Sequence, residues 1–103
     1  MKFSISMITE NTPFIISAAD GSLTPYMPAN GTDFTLREAQ RAVGGLVETM
    51  AMPGEDRYRA RIMIMNESGL LEGLAKNDVA SSIFGEGAHI VGDVLVCPET
   101  FFR

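Results

Sequence analysis

The segment that begins at Thr35 constrains the fold most, because it encodes a helix, a stop and a strand in succession. Its first four residues form a capping box, in which the Thr35 hydroxyl and the Glu38 carboxylate each accept a hydrogen bond from the other residue's amide. Apolar residues then recur at helical spacing and predict a short helix over 35–43. Gly44 and Gly45 follow, and a left-handed C-terminal cap favours glycine. We predict that both glycines serve the backbone, since a phosphate-binding loop precedes a helix.

Two alternating runs of residues come next and predict a β-hairpin. The runs LVETMAM and RYRARIMIM flank the turn sequence Pro-Gly-Glu-Asp at 53–56. If Met52 pairs with Arg57, Met50 lies opposite Arg59 and Glu48 lies opposite Arg61. The uncharged face of this hairpin is then predicted to meet the core. The other face, which carries the arginines, is predicted to be partly in contact with water.

The alternate positions of Arg57, Arg59 and Arg61 predict a row of guanidinium groups about 7 Å apart along one strand face. Such a row suits an anionic ligand or an acidic protein surface. The alternative is a solvated sheet face, on which a Glu48–Arg61 pair contributes less than about 1 kcal/mol. Met63 continues the same face, and methionine adapts to irregular partner surfaces.

The remaining sequence predicts an α+β domain: an antiparallel sheet of four to six strands with two short helices. The alternation at 3–7 and the apolar run at 14–18 predict an N-terminal hairpin, followed by an ordered loop at 22–34 with one short extended piece. Asn77 is predicted to cap a helix over 78–84. The apolar run at 89–97 predicts a buried strand, in which Gly92 marks a bulge or a close approach of another backbone.

The composition limits the chain to one domain and argues against several classes of function. With 103 residues and 46% apolar residues, we expect a single domain over 1–103, with a variable N-terminal part at 1–34 before the part at 35–97. The only cysteine, Cys97, predicts a reduced buried thiol in a cytoplasmic protein, and we expect no secretory signal and no membrane span. A net charge of −5 argues against binding to nucleic acid.

The chain offers few residues for catalysis. One histidine and one cysteine predict neither a metal site nor a bound cofactor. His89 precedes an apolar strand, and we predict a structural role for it. The acid–base candidates are therefore Glu48, Glu67 and Asp93, and we expect a protein that is not an enzyme.

The order of motifs from Thr35 to Val96 resembles the DUF3846 family, a set of small proteins of unassigned function from phages, plasmids and bacterial genomes. The resemblance implies a cytoplasmic accessory protein of mobile elements and supplies no reaction. Family members commonly have Leu-Pro-x-Asn where this chain has Leu-Ala-Lys-Asn at 74–77. The residues that carry the resemblance are Val43, Gly44, Gly45, Glu48, Asn66, Glu67, Gly69, Leu74, Asn77, Ala80 and Gly92.

Two main hypotheses of function follow. The first is an interaction or regulatory module that binds a protein or a small anion through the arginine row and the loop at 66–77, which contains Asn66, Glu67 and Asn77. The second is a small enzyme or nucleotide-handling domain with Glu48 and Glu67 facing one cleft. A weaker alternative is an acidic decoy of DNA, and a homo-oligomer is compatible with each hypothesis.

Overall fold

The computed structural model describes residues 12–52, 61–85 and 87–102 and shows a five-stranded antiparallel sheet with two helices. The predicted α+β class is therefore confirmed. The predicted strand at 3–7 and the turn at 53–56 lie outside the described residues. The strands in chain order are β1 (Phe14–Ile16), β2 (Leu23–Pro25), β3 (Val47–Ala51), β4 (Arg61–Asn66) and β5 (Val94–Pro98).

The strand order across the sheet is β2-β1-β5-β4-β3, so the last strand of the chain lies in the middle. β1 forms a hairpin with β2 on one side and pairs with β5 on the other. β5 also pairs with β4, whose second neighbour is β3. Two hairpins from distant parts of the chain are thus joined by a single central strand.

The first helix, α1 (Leu36–Val43), begins and ends as the sequence predicts. The Thr35 hydroxyl accepts a hydrogen bond from the Glu38 amide at 3.1 Å, and Glu38 Oε1 accepts from the Thr35 amide at 2.8 Å. Backbone hydrogen bonds from Thr35 and from Ala29 lower the pKa of the Glu38 carboxyl. Gly44 has a φ of 81°, which is the predicted left-handed cap.

The second helix, α2 (Asp78–Phe84), lies on the opposite face of the sheet from α1. Its N-cap is Asn77, whose Oδ1 accepts from the Ala80 amide at 3.0 Å. At eight and seven residues, α1 and α2 are both too short to cross a membrane, and no other described segment forms a helix that can.

Each face of the sheet has its own buried cluster, because side chains alternate between the faces along every strand. The cluster under α1 contains Phe34, Ala39, Val43, Ile64, Leu95 and Cys97. The cluster under α2 contains Phe14, Ile16, Leu23, Met52, Met63, Met65, Ala80, Ile90, Val94 and Val96. The sheet is therefore covered on both sides, which is why β5 is apolar along its whole length.

The predicted register of the β3–β4 hairpin is wrong by four residues. Met50 lies opposite Met63 rather than Arg59, and Glu48 lies opposite Met65 rather than Arg61. Arg61 instead lies beside Met52, whose amide donates to the Arg61 carbonyl at 3.1 Å. A shift of four keeps each side chain on its predicted face, because the side-chain period of a strand is two.

The prediction that this face is partly wet is wrong for β4. Met63 and Met65 are buried in the cluster under α2, and Arg61 is only 5% exposed. The Arg61 guanidinium lies over the ring of Phe14, 5.9 Å from its centroid, a geometry typical of a cation–π contact. Arg57 and Arg59 lie outside the described residues, and the one described member of the proposed arginine row, Arg61, is buried.

The C-terminal strand is shorter than the predicted run at 89–97. Regular pairing begins at Val94, while Val91 forms an isolated bridge with Lys76. Between them Gly92 has a φ of 76° and turns the chain. Gly92 therefore separates two short extended pieces instead of making a bulge within one strand.

Candidate functional site

The best candidate for a functional site is a cleft of about 330 Å³ between the end of the β3–β4 hairpin, the turn that follows β4 and the segment before β5. We refer to it as the hairpin cleft. Its lining combines a buried apolar floor with an exposed rim. The floor residues are Met65, Ile90 and Val91, and the rim residues are Glu48, Glu67, Leu70, Leu71 and His89.

The two rim carboxylates share one face of the sheet. The Glu67 amide donates to the Leu46 carbonyl at 2.8 Å, which extends the β3–β4 pairing by one residue pair beyond the strand. Glu48 lies opposite Met65, so Glu48 and Glu67 are diagonal neighbours, for which a Cα separation of about 7–8 Å is typical. The structure thus places Glu48 and Glu67 together on the lining of the hairpin cleft.

Asn66 lines the cleft, but the polar atoms of its side chain are already hydrogen-bonded within the protein. It is 5% exposed, and its side-chain amide donates to the Val43 carbonyl at 3.4 Å and to the Glu72 carboxylate at 3.3 Å. Its Oδ1 accepts from the Ser68 amide at 2.8 Å. Asn66 thereby ties the end of α1 to the turn after β4, and we assign it a positioning role.

Position 45 requires glycine because the side chain of Asn66 lies directly against it. A Cβ atom at position 45 would lie 2.8 Å from the Asn66 side-chain nitrogen, closer than real Cβ contacts allow. Gly44 has open space around its Cα but a positive φ, which disfavours other residues. The two adjacent glycines thus have different structural reasons, and neither requires a ligand.

Two further glycines fasten the turn to the segment before β5. A Cβ at Gly69 would lie 2.7 Å from a methyl of Val91, and a Cβ at Gly92 would lie 2.8 Å from a methyl of Leu74. The Gly92 amide also donates to the Ala75 carbonyl at 2.8 Å. The turn and the segment before β5 are therefore closely packed at both glycines.

Asn77 lies at the structural centre of this region rather than on a binding surface. It is fully buried, and its side-chain amide donates to the carbonyls of Ile16 and Gly92 at 3.0 and 2.9 Å. Its oxygen caps α2 by accepting from Ala80. It therefore connects β1, α2 and the turn before β5.

Three rim residues of the cleft, Leu70, Leu71 and His89, were not proposed as binding residues from the sequence. Leu70 and Leu71 are 68% and 93% exposed, and a Leu-Leu pair inside a turn flanked by glycines was the available signal. His89, for which the sequence predicts a structural role, is exposed on the rim. No group of three metal-binding side chains occurs within the described residues.

A second depression, of about 400 Å³, lies beside the C-terminal end of α1. Gly44 and Gly92 line it, together with the side chains of Arg41 and Asp93. The Asp93 carboxylate accepts from the Ala18 amide at 2.9 Å. The negative end of a helix dipole and a carboxylate both oppose an anion, so this depression does not resemble an anion site.

A family model described as a domain of unknown function, DUF3846, matches residues 14–100, so the chain belongs to this family. The match begins at β1 and thus includes strands that precede the motifs at 35–96. No curated protein and no solved structure matches the chain.

Proposed function

We propose that this member of the DUF3846 family is a non-catalytic interaction module that binds a protein partner in the hairpin cleft. The exposure of Leu70 and Leu71, 68% and 93%, on the rim of a cleft with an apolar floor is the observation that carries the proposal. Exposed apolar groups collected at one site and bordered by polar residues are typical of protein-binding surfaces.

The chemistry of the lining indicates the kind of partner. Glu48 and Glu67 place two carboxylates beside the leucines, and the described lining contains no lysine or arginine. A partner segment that combines apolar side chains with lysine or arginine fits this arrangement, because opposite charges favour encounter and register. A small anion, the other ligand that the arginine row favoured, is less well supported by these side chains.

The residues shared with the family support the same site. Gly44, Gly45, Asn66, Asn77 and Gly92 each satisfy a backbone or packing requirement. By contrast, the carboxylates of Glu48 and Glu67 make no hydrogen bond to another described residue. Side chains that contribute nothing to the fold are the ones available to a partner.

A peptide selection tests the proposal directly. A library of random peptides selected on the immobilised protein is expected to yield binders that combine leucine, isoleucine, methionine or phenylalanine with lysine or arginine. Binding is expected to be lost with Leu71→Asp and weakened by the charge reversal Glu67→Lys, since the first buries a charge and the second repels the basic residues.

Leu36→Asp is the matched control, because Leu36 is 55% exposed on α1, away from the cleft. It changes the same residue type to the same charge and is expected to leave peptide binding unchanged. If Leu36→Asp weakens binding as much as Leu71→Asp while both variants remain folded, the hairpin cleft is not the site.

A small enzyme or nucleotide-handling domain is the second candidate, supported by the convergence of Glu48 and Glu67 on one cleft. Two carboxylates near a histidine are a common acid–base set. This candidate predicts that a nucleoside triphosphate with Mg²⁺ raises the melting temperature of the wild type and that Glu48→Gln with Glu67→Gln abolishes the rise. No rise with any of the four ribonucleoside triphosphates would exclude nucleotide handling.

The proposal includes a cytoplasmic location and an accessory role in a mobile element, as the family resemblance implies. The buried free thiol of Cys97 supports a reducing compartment. Fractionation of cells that express the tagged protein is expected to recover it with cytoplasmic markers. Recovery from the periplasm or the medium would contradict this part of the proposal.

A further inference from the structure

The two edges of the sheet differ in how they are protected against pairing with another strand. β2, at one edge, has three residues and ends in Pro25, which has no amide hydrogen to donate. β3, at the other edge, has five residues of sequence Val-Glu-Thr-Met-Ala, four of them exposed. It contains no lysine, proline or glycine, so it lacks the usual protection of an edge strand except for one glutamate.

The hydrogen bonds at both ends of the β3–β4 hairpin show which backbone groups point outward. The Met52 amide donates to Arg61, and the Glu67 amide donates to Leu46. Hydrogen-bonded pairs alternate along an antiparallel ladder, so every second residue from 46 to 52 bonds to β4. The amides and carbonyls of the residues between them therefore point away from the sheet: these residues are Val47, Thr49 and Ala51. No described strand pairs with them.

We propose that β3 pairs with β3 of a second copy of this chain, antiparallel, about a two-fold axis at Thr49. Thr49 then faces Thr49 of the second copy, and Val47 faces Ala51. All three outward residues form hydrogen-bonded pairs, each of which exchanges two hydrogen bonds. The two sheets become one continuous sheet, and the interface is isologous, as in most homodimers.

The charges select this register among those the backbone allows. With Thr49 on the axis, Glu48 lies opposite Met50 of the second copy and no like charges meet. A shift that pairs Thr49 with Val47 brings the two Glu48 side chains opposite each other, which is destabilising. The opposite shift, which pairs Thr49 with Ala51, leaves the outward groups of Val47 without partners in the ladder.

Two exposed apolar side chains, one on β3 and one directly before it, fit the same pairing. Leu46 and Met50 are 61% and 41% exposed. In the proposed register Leu46 lies opposite Met52 of the second copy and diagonal to Met50, so both side chains gain apolar neighbours. This dimer is a proposal separate from the partner site: both include Glu48, but the dimer uses the strand edge and neither Leu70 nor Leu71.

Sedimentation velocity of the full chain over a range of concentrations tests the dimer. The wild type is expected to show a concentration-dependent monomer–dimer equilibrium. Thr49→Lys places two lysines opposite each other on the axis and is expected to be monomeric where the wild type dimerises. Thr24→Lys, the same change at an exposed position of the other edge strand, is expected to dimerise normally.

Cysteine cross-linking reports the register. Hydrogen-bonded residue pairs have Cα atoms about 5.5 Å apart, within the range of about 4.4–6.8 Å that a disulfide spans. Treatment with the thiol oxidant diamide is therefore expected to link Thr49→Cys into a covalent dimer but not Ala51→Cys, whose cysteines lie on opposite sides of the axis. Cys97 is buried and does not compete.

Two results would overturn the proposal. One is a wild type that remains monomeric up to millimolar concentration, which would leave the edge to a different partner or to none. The other is a dimer that Thr49→Lys leaves intact, which would place the contact elsewhere. Leu71→Asp separates this proposal from the partner site, because it is expected to abolish peptide binding and to leave the dimer unchanged.

Discussion

Replacement of Asn77 by alanine is expected to be among the most destabilising changes in the chain that do not touch an apolar residue. The Asn77 side chain is fully buried and makes three hydrogen bonds, to Ile16, Gly92 and Ala80, between 2.9 and 3.0 Å. Asn77→Ala removes the partner of two carbonyls and one amide at once. These groups belong to three different parts of the fold.

The expected loss of stability follows from the three backbone groups that would lose their hydrogen-bond partner. A net hydrogen bond contributes about 0.5–1.5 kcal/mol, and a buried group left without a partner costs about 1–3 kcal/mol. The loss of an N-cap alone costs about 1 kcal/mol. With about 1 kcal/mol or slightly more for each bond, we expect Asn77→Ala to lower the free energy of unfolding by about 3–4 kcal/mol.

Asn77→Asp separates the cap from the two donated bonds. The aspartate keeps the oxygen that accepts from Ala80 but turns an oxygen, instead of an NH₂ group, toward the carbonyls of Ile16 and Gly92. Burial and those carbonyls raise the pKa of the introduced carboxyl group in the folded state. Its neutral form is therefore favoured on folding, and the deficit against wild type is expected to grow as the pH rises from the ordinary aspartate pKa of about 3.9 toward the raised value, and to level off above it.

Urea unfolding at pH 7 and at pH 5 measures both effects. Thr35→Ala, at the exposed cap of α1, is the matched control, with an expected loss of about 1 kcal/mol. If Asn77→Ala costs no more than Thr35→Ala, or if Asn77→Asp is as stable as wild type at pH 7, Asn77 does not hold these three segments together.

Three further predictions concern the two adjacent glycines and the buried thiol. Gly44→Val is expected to lower the free energy of unfolding by about 1 kcal/mol or more because of the positive φ at Gly44, whereas Glu48→Gln, at an exposed position, is expected to lower it less. Equal melting temperatures of Gly44→Val and the wild type would contradict the left-handed cap of α1. Gly45→Ala is expected to destabilise by displacing Asn66, measured by urea unfolding, and Asn66→Ala is expected to make the added methyl harmless. Burial raises the pKa of Cys97 from 9.0 to about 12. Between those pH values only the thiol of the unfolded state ionises, so the free energy of unfolding is expected to fall as the pH rises. Urea unfolding at several pH values should show a smaller fall for Cys97→Ala than for the wild type.

The sequence predicted the elements whose signals are local. The capping box at Thr35 and the N-cap at Asn77 located both helices, because each cap is satisfied by amides within three residues. The glycine after α1 was predicted for the same reason. For the second glycine, Gly45, the sequence predicted a backbone role, whereas the structure shows that the side chain of Asn66 on β4 requires it.

The predicted register of the β3–β4 hairpin and the predicted solvent exposure of its arginine-bearing face were wrong, because both depend on distant parts of the chain. A turn at 53–56 is attractive locally, but β4 is also fixed by its pairing with β5, where Met63 lies opposite Val96. A pattern of alternating arginine and methionine does not show that a helix from another part of the chain covers that face. Part of the cleft was predicted from the sequence. Its carboxylates, Glu48 and Glu67, lie in the motifs shared with the family, whereas the position of its leucines depends on the geometry of the turn after β4.

The position of β5 in the sheet has a consequence for synthesis on the ribosome. The β1–β2 and β3–β4 hairpins leave the exit tunnel first, yet neither is bonded to the other in the sheet, and both need β5 to complete their ladders. Hairpins of this size are marginal alone. The sheet is therefore expected to form only once β5 has left the tunnel, and a nascent chain arrested before Val94 emerges should be fully sensitive to protease, whatever its length up to that point.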